Sequence, residues 1–499
     1  MKIYKYLAIG LTLCGSLTSC ELDLYPYSAI ETSQSFKTVN DAKNWSTRIH
    51  QDLRARVYDH YVLSSDIAAD QLNATAAYGN NYGSPHRWTD FRADTYETRD
   101  YYQGYYSGLN NVNEAIRGFA SIVPENDDQT KQLKEYTGMA HLARAYYYFQ
   151  LNSRYAKAYN PTTANSDLSV ALVLTPDLNG QPTRNTVKEV YDQILADLAI
   201  AKSNLAEKTG TVNASTFNLD VVLALEARVK LYFQDWTSAK SVSEILITGG
   251  KYKLYNSQDS LKKMWHEDAG GEVIFAPFVS INELPNTINV YLGFNNTNKT
   301  YSPLYLPSQW VIDFYENKDF RKNVYFQTST EVVLGGGKHT ATFVNKYPGN
   351  PKLRVANAAT NYAHSPKIFR IAEIYLIAAE ASYRAQNEDA ARNHLNTLRV
   401  ARGLDPIATT VSGNNLLNEI KEERFRELAF EGYRLEDLKR WGEGFTRRNP
   451  QTTTASFPFL ENGDGFIDKS VQANDLKFTW GIPLRDIEAN PNMIQNEGW

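Results

Sequence analysis

The stretch Ile420–Gly442, IKEERFRELAFEGYRLEDLKRWG, decides how the rest of the chain is read. Wound into a helix, Ile420, Arg424, Glu427, Leu428 and Glu431 fall on one stripe by the three-and-four spacing, so charged and apolar groups share a face. A charge on such a face is costly unless an opposite charge and hydrogen bonds meet it. Glu423, Arg424, Arg426, Glu427, Glu431, Arg434 and Asp437 are therefore expected to form a paired network. Gly432 is placed to turn the backbone, after which Leu435, Leu438 and Trp441 start a second amphipathic segment. Acid/base catalysis needs carboxylates of separated proton affinity facing a cleft, whereas nearly every carboxylate here has an arginine within helical reach. The network reads as structural and no catalytic residue is expected in it.

Working outward to the N-terminus, residues 1–19 carry Lys2 and Lys5, an apolar run through Leu17, and then Thr18 and Ser19 before Cys20. That is a secretory leader whose apolar run is too short to span a bilayer comfortably. Leu17-Thr18-Ser19-Cys20 looks like a bacterial lipobox, which implies cleavage before Cys20 and its acylation. Cys14 leaves with the leader, so no disulfide framework is expected. The formal net charge of −4, or about −6 once Lys2 and Lys5 are removed, makes nucleic acid an unsuitable partner. Residues 20–35 lack pattern and read as a tether, and attachment to a membrane is expected through lipid alone.

The remaining 36–499 is expected to be one mainly α body, built of divergent tetratricopeptide-like helix pairs at about 36–250 and 366–442. Val39–Val57, Leu133–Leu151, a helix opened by the Thr186-Val187-Lys188-Glu189 capping box, Val222–Phe233 with Ala239–Leu246, and Ile368–Ala385 with Glu388–Arg402 carry the helical spacing. Between the pairs lies a loop-rich insertion, 251–365, with strand candidates at Glu272–Phe275 and Val324–Val333, the latter ended by Gly335-Gly336-Gly337. Residues 443–499 close the chain. Tyr61–Tyr102 is punctuated by Gly, Asn, Asp, Ser and Pro and reads as a long irregular segment. With 33 tyrosines and 8 tryptophans, many rings are expected at the surface or along a groove, because a Tyr hydroxyl wants a polar partner or water.

The run Glu423-Arg424-x-Arg426-Glu427-Leu428-x-Phe430-Glu431-Gly432-x-Arg434, with Asp437-Leu438-x-Arg440-Trp441-Gly442 after it, closely resembles the C-terminal signature of SusD/RagB-type outer-membrane nutrient-binding lipoproteins. Arg144–Leu151, Pro307-Ser308, Asp319-x-Arg321, Asn490-Pro491 and the ending Gln495–Trp499 extend the resemblance, which departs from the family at Ala156 and Glu497. It implies a surface-exposed outer-membrane lipoprotein, facing the cell exterior, that captures a nutrient glycan without catalysis and passes it to a SusC-like TonB-dependent transporter. A surface-anchored, mainly helical glycoside hydrolase would also use aromatic grooves, and no pair of carboxylates is identifiable as its acid and nucleophile. A repeat scaffold binding only protein would leave the aromatic loops idle.

Other motifs lack the residues their chemistry needs. In the calcium-loop pattern of Leu460–Val471, neither Leu460 nor Val471 can ligate the ion, and Gly335-Gly336-Gly337-Lys338 is followed by His339 where a phosphate loop needs Ser or Thr. No cofactor or metal is expected. A sugar groove combines exposed rings with carboxylates, amides and arginines, and two segments have that mixture: Asp66–Trp88 and Asn286–Tyr305. Trp88 is expected as the main stacking ring, Tyr82 and Tyr291 beside it, and Asp66 and Arg87 as hydrogen-bonding partners.

Overall fold

The computed structural model describes residues 35–177, 179–284, 290–355, 362–448, 450–451, 460–461 and 465–499. The leader, Cys20 and nearly all of the tether lie outside them, as do Asn286 and the calcium-pattern residues Asn462 and Asp464. Among the described residues no helix is long and apolar enough to cross a membrane.

Helices dominate and start where polar caps put them. Helix α1 (Val39–Arg54) opens on a capping box between Thr38 and Asp41, and α2 is His60–Ala68. After β1 (Leu72–Ala74) come α3 (Tyr96–Phe119), α4 (Asp127–Tyr155) and α5 (Val187–Asn204). The expected box opens α5: the Thr186 N–H donates to Glu189 Oε2 at 2.8 Å and the Glu189 N–H to Thr186 Oγ1 at 3.2 Å. Helices α6 (Leu219–Tyr232) and α7 (Trp236–Thr248) are joined by a tight turn and lie side by side. Apart from α2, whose Leu63 and Ile67 join a second cluster, these helices share the largest apolar core.

The insertion supplies α8 (Gln258–Glu267) and short antiparallel ladders: β2 (Val273–Phe275) pairs with β6 (Phe369–Arg370), β3 (Tyr305–Pro307) with β1, and β4 (Phe326–Leu334) with β5 (Gly337–Val344). Gly335 and Gly336 make the β4–β5 turn at φ +57° and +82°, which side chains resist. The expected strand at Val324 starts later, at Phe326, because Lys322–Tyr325 form a helical turn first. Helices α9 (Ile371–Arg384) and α10 (Glu388–Ala401) pair, and the decisive stretch becomes α11 (Gly413–Leu428), a turn with Gly432 at φ +82°, and α12 (Arg434–Trp441).

Two expectations are corrected. Tyr61–Tyr102 is not irregular throughout, since α2 covers its start and α3 its end. The polar face that disguised α2 is buried by distant partners: Ser64 Oγ accepts from Arg154 at 3.0 Å, Ser65 Oγ from the Leu435 N–H at 3.1 Å, and Asp66 from the Gly432 N–H at 2.8 Å. The tyrosines, too, are mostly internal, and among the described residues only Tyr96 counts as exposed. Backbone carbonyls accept their hydroxyls, as with Tyr106 to Ala171 at 2.8 Å, Tyr148 to Val173 at 2.8 Å and Tyr347 to Phe430 at 2.8 Å. A core with such acceptors takes Tyr as readily as Phe.

The charged stretch forms the expected network, but largely with partners from elsewhere in the chain. Glu427 meets Arg402 at 2.9 Å, Arg370 at 2.8 Å and Arg321 at 3.1 Å, all fully buried. Glu423 joins Arg321 at 2.7 Å and Arg426 at 3.1 Å, while Glu431 takes Arg370 at 2.6 Å and Lys346 at 2.7 Å. Arg424 pairs with Asp437 at 2.8 Å, and Arg434 with Asp70 at 2.7 Å. Burial alone would raise the Glu427 carboxyl, but Arg402 and Arg370 overcome it and hold the group well below the usual carboxylate range. The network therefore fastens α11 to the insertion through Arg321 and Lys346, and to the start of α9 and end of α10 through Arg370 and Arg402.

Candidate ligand-binding cleft

The structure places most of the sequence-derived site residues inside. Trp88 is 4% exposed, donates its indole N–H to the Ala68 carbonyl at 2.7 Å, and stands edge-on to Phe445 and Phe478 at 5.7 and 5.3 Å. The cover that local sequence does not reveal comes from the C-terminal segment, hundreds of residues away. Tyr82 is buried with its hydroxyl on Asp59, and Tyr291 is buried between Tyr347, at 6.2 Å, and Phe430, at 5.8 Å. None of these three rings offers a free face. Arg87 alone is half-buried, and it is engaged by Asp90 at 2.6 Å, Tyr78 at 2.9 Å and Asn80 at 2.8 Å.

Asp66 is fully buried, so it acts on the fold and not on a ligand. Burial pushes its carboxyl up to about 7, against the pull of the Gly432 N–H. A carboxyl whose proton is held more tightly in the folded chain stabilises it below the unfolded value near 4, and that contribution is lost as pH rises to about 7. Asp66→Asn keeps an oxygen for Gly432 and carries no charge. In paired pH series the variant is expected to gain on the parent between pH 5 and 8, by an order of a few kcal/mol at the upper end; parallel curves would contradict it.

A different part of the second aromatic segment is open. Asn295 and Thr300 bridge a small hairpin, the Asn295 N–H donating to the Thr300 carbonyl at 2.8 Å. Its shoulders present Phe294 and Tyr301, both half-exposed, with ring centroids 4.9 Å apart; Tyr301 rests on Phe343 of β5 at 4.4 Å. These rings line a cleft of about 600 Å³ together with Tyr362, Asn296, Lys299 and Gln327, and with Lys262, His266 and Glu267 from the end of α8. Leu292, Asn345, Pro348, Gly349, Pro351 and Arg354 complete the wall. Burial takes the His266 imidazole down to about 4, so it is neutral at pH 7 and accepts or donates as a neutral ring. The volume lies in the range of small-ligand sites, and the mixture of rings, amides and charged groups is what sugar hydroxyls and C–H faces require.

The second aromatic segment contains this hairpin, but the ring expected from it, Tyr291, is one that the fold buries. The available signal was the polar turn Asn295-Asn296-Thr297-Asn298-Lys299 flanked by single aromatics, whereas Tyr291 sits in Val290-Tyr291-Leu292, an apolar run that goes inside.

One family model, described as the SusD family, matches residues 287–499, and another, described as starch-binding associating with outer membrane, matches residues 22–231. The chain belongs to the SusD/RagB family. SusD-like protein P38 of Formosa agariphila is 25% identical over 88% of this chain and 92% of its own length. The starch-binding protein SusD of Bacteroides thetaiotaomicron is 35% identical over 26% of this chain and 21% of its own. In three dimensions, a putative sugar binding protein from Bacteroides vulgatus aligns with a TM-score of 0.76 at 21% identity, covering 93% of this chain and 99% of that one. A SusD superfamily protein from Bacteroides thetaiotaomicron gives 0.74 at 23% identity, covering 92% and 99%. These structural likenesses establish the SusD fold, mainly α with few short strands. Membership of the SusD/RagB family carries carbohydrate binding in association with the outer membrane.

Proposed function

We propose that this SusD/RagB chain is a surface-exposed outer-membrane lipoprotein that binds a nutrient glycan, without cleaving it, and delivers it to a SusC-like TonB-dependent transporter. In this reading residues 1–19 are a leader, Cys20 carries the lipid, 20–35 are the tether, and the body 36–499 stands on the exterior face. The observation that carries the reading is the cleft beside the 295–300 hairpin, where two half-exposed rings lie among amides and charged groups. Stacking on Phe294 and Tyr301 gives a sugar face an apolar contact, and Asn296 and Gln327 supply both donors and acceptors for hydroxyls.

The hydrolase alternative is less well supported by the same cleft. Glycoside hydrolysis uses a pair of carboxylates, and the cleft lining contributes one, Glu267. A direct test exposes the body lacking residues 1–20 to a panel of polysaccharides and scores both retention and release of reducing sugar. Retention without release is the expected result, and sustained release would overturn the binding role.

A further inference from the structure

The cleft lining carries more positive than negative charge. Elsewhere the arginines and lysines of the interior each face a carboxylate or a carbonyl, as in the network around Glu427. In the cleft, Lys262 and Arg354 are exposed and meet no carboxylate among the described residues. Lys299 meets an uncharged amide, Asn296 Oδ1, at 2.6 Å and lies 6.0 Å from the centre of the Phe294 ring, with no carboxylate partner among the described residues. Against these three cations stands one carboxylate, Glu267, which likewise has no ion pair among the described residues. His266 adds no charge at pH 7, with its Nε2 2.9 Å from the Asn345 carbonyl.

A positive cleft on a chain whose formal net charge is −4 is a local inversion of sign. Neutral sugars can take hydrogen bonds from these cations but gain nothing from the net charge itself. Anions gain twice: the field concentrates them at the cleft mouth, and a guanidinium or ammonium group gives charge-assisted hydrogen bonds inside it.

We propose that the glycan this cleft takes is anionic, with carboxylate or sulfate groups on its sugar rings that are met by Lys262, Lys299 and Arg354. The inference rests on the cleft being the glycan site, as argued above. Carboxylate and sulfate share the chemistry that the three cations read, and the test separates them.

The experiment uses the body lacking residues 1–20 and four probes: polygalacturonate, dextran sulfate, neutral dextran and neutral pullulan, each titrated at low and at moderate salt. At least one anionic probe is expected to bind, with affinity falling as salt screens the contact. The triple variant Lys262→Gln, Lys299→Gln, Arg354→Gln is expected to lower that affinity at least about tenfold. The same charge removed from the exposed lysines Lys43, Lys134 and Lys253 should leave it unchanged. Because three substitutions together can disturb a loop, the single Lys299→Glu variant gives a second reading and should also weaken the anionic probe. Neutral polymers bound at salt-independent affinity, with anionic ones ignored, would overturn the inference and leave glycan binding standing. Anionic binding that the triple variant and Lys299→Glu both retain would place the charge reader elsewhere and overturn it too. Failure of every polymer in this set and in the wider panel would instead remove the glycan reading on which the inference rests.

Discussion

Glu427→Gln is expected to lower the free energy of unfolding by about 3–5 kcal/mol, the cost of removing one partner from a buried ion pair. The substitution preserves shape and one acceptor oxygen, so the loss is that of charge. Arg402, Arg370 and Arg321 all approach the carboxylate within 3.1 Å, and each is fully buried. Glu272, Glu431 and Asp319 continue to hold Arg402, Arg370 and Arg321, at 2.9 Å, 2.6 Å and 2.8 Å respectively, which keeps the loss finite. Water cannot reach the vacated charge, so the penalty is not screened by salt as a surface pair would be. The measurement is the denaturant midpoint of parent and variant at two ionic strengths. An unchanged midpoint would show that the network contributes nothing net, and unchanged stability with abolished glycan binding would make Glu427 part of a site.

Trp88→Ala is expected to destabilise the chain by about 3–5 kcal/mol, as large-to-small changes of buried aromatic residues do. The indole is 4% exposed and fills a small cluster with Ala68, Ala69, Leu435, Leu438, Phe445, Val471 and Phe478. Its removal leaves a void at the junction of α2, α12 and the C-terminal segment and frees the Ala68 carbonyl. Thermal unfolding checks this. Where enough folded variant remains, glycan affinity should follow the folded fraction and show no separate loss. A variant as stable as the parent but unable to bind would restore Trp88 as the stacking ring.

The fold was legible in the sequence to the extent that local rules govern it. Helical spacing placed Val39, Val187 and Glu388 at or beside their helix starts, and the Thr186–Glu189 box opens a helix as written. Mixed charge on the Ile420–Glu431 stripe announced a buried network, because charges among apolar residues must be matched. What the stripe could not announce was its partners: Arg321, Lys346, Arg370 and Arg402 come from other elements, and no spacing rule links them to Glu427 or Glu431. The same blindness to distant contacts explains the site residues. Trp88 lies beside Pro85-His86-Arg87, which reads as an uncovered loop, yet Phe445 and Phe478 cover it. Asp66 looks like a loop carboxylate, yet the Gly432 N–H and the surrounding core claim it. Burial of a lone aromatic or acid is a property of the assembled chain, whereas the polar turn that leaves Phe294 and Tyr301 half-exposed is local and was readable.

Glycan binding at the 295–300 hairpin cleft is tested most directly by comparing the parent body with the Phe294→Ala, Tyr301→Ala double variant, titrating both with a polysaccharide the parent retains. With both rings gone and the fold intact by circular dichroism and melting, affinity should fall at least about tenfold, roughly 1.4 kcal/mol, since ring stacking at the centre of a site is where its binding energy concentrates. Undiminished affinity in the folded double variant would contradict the account.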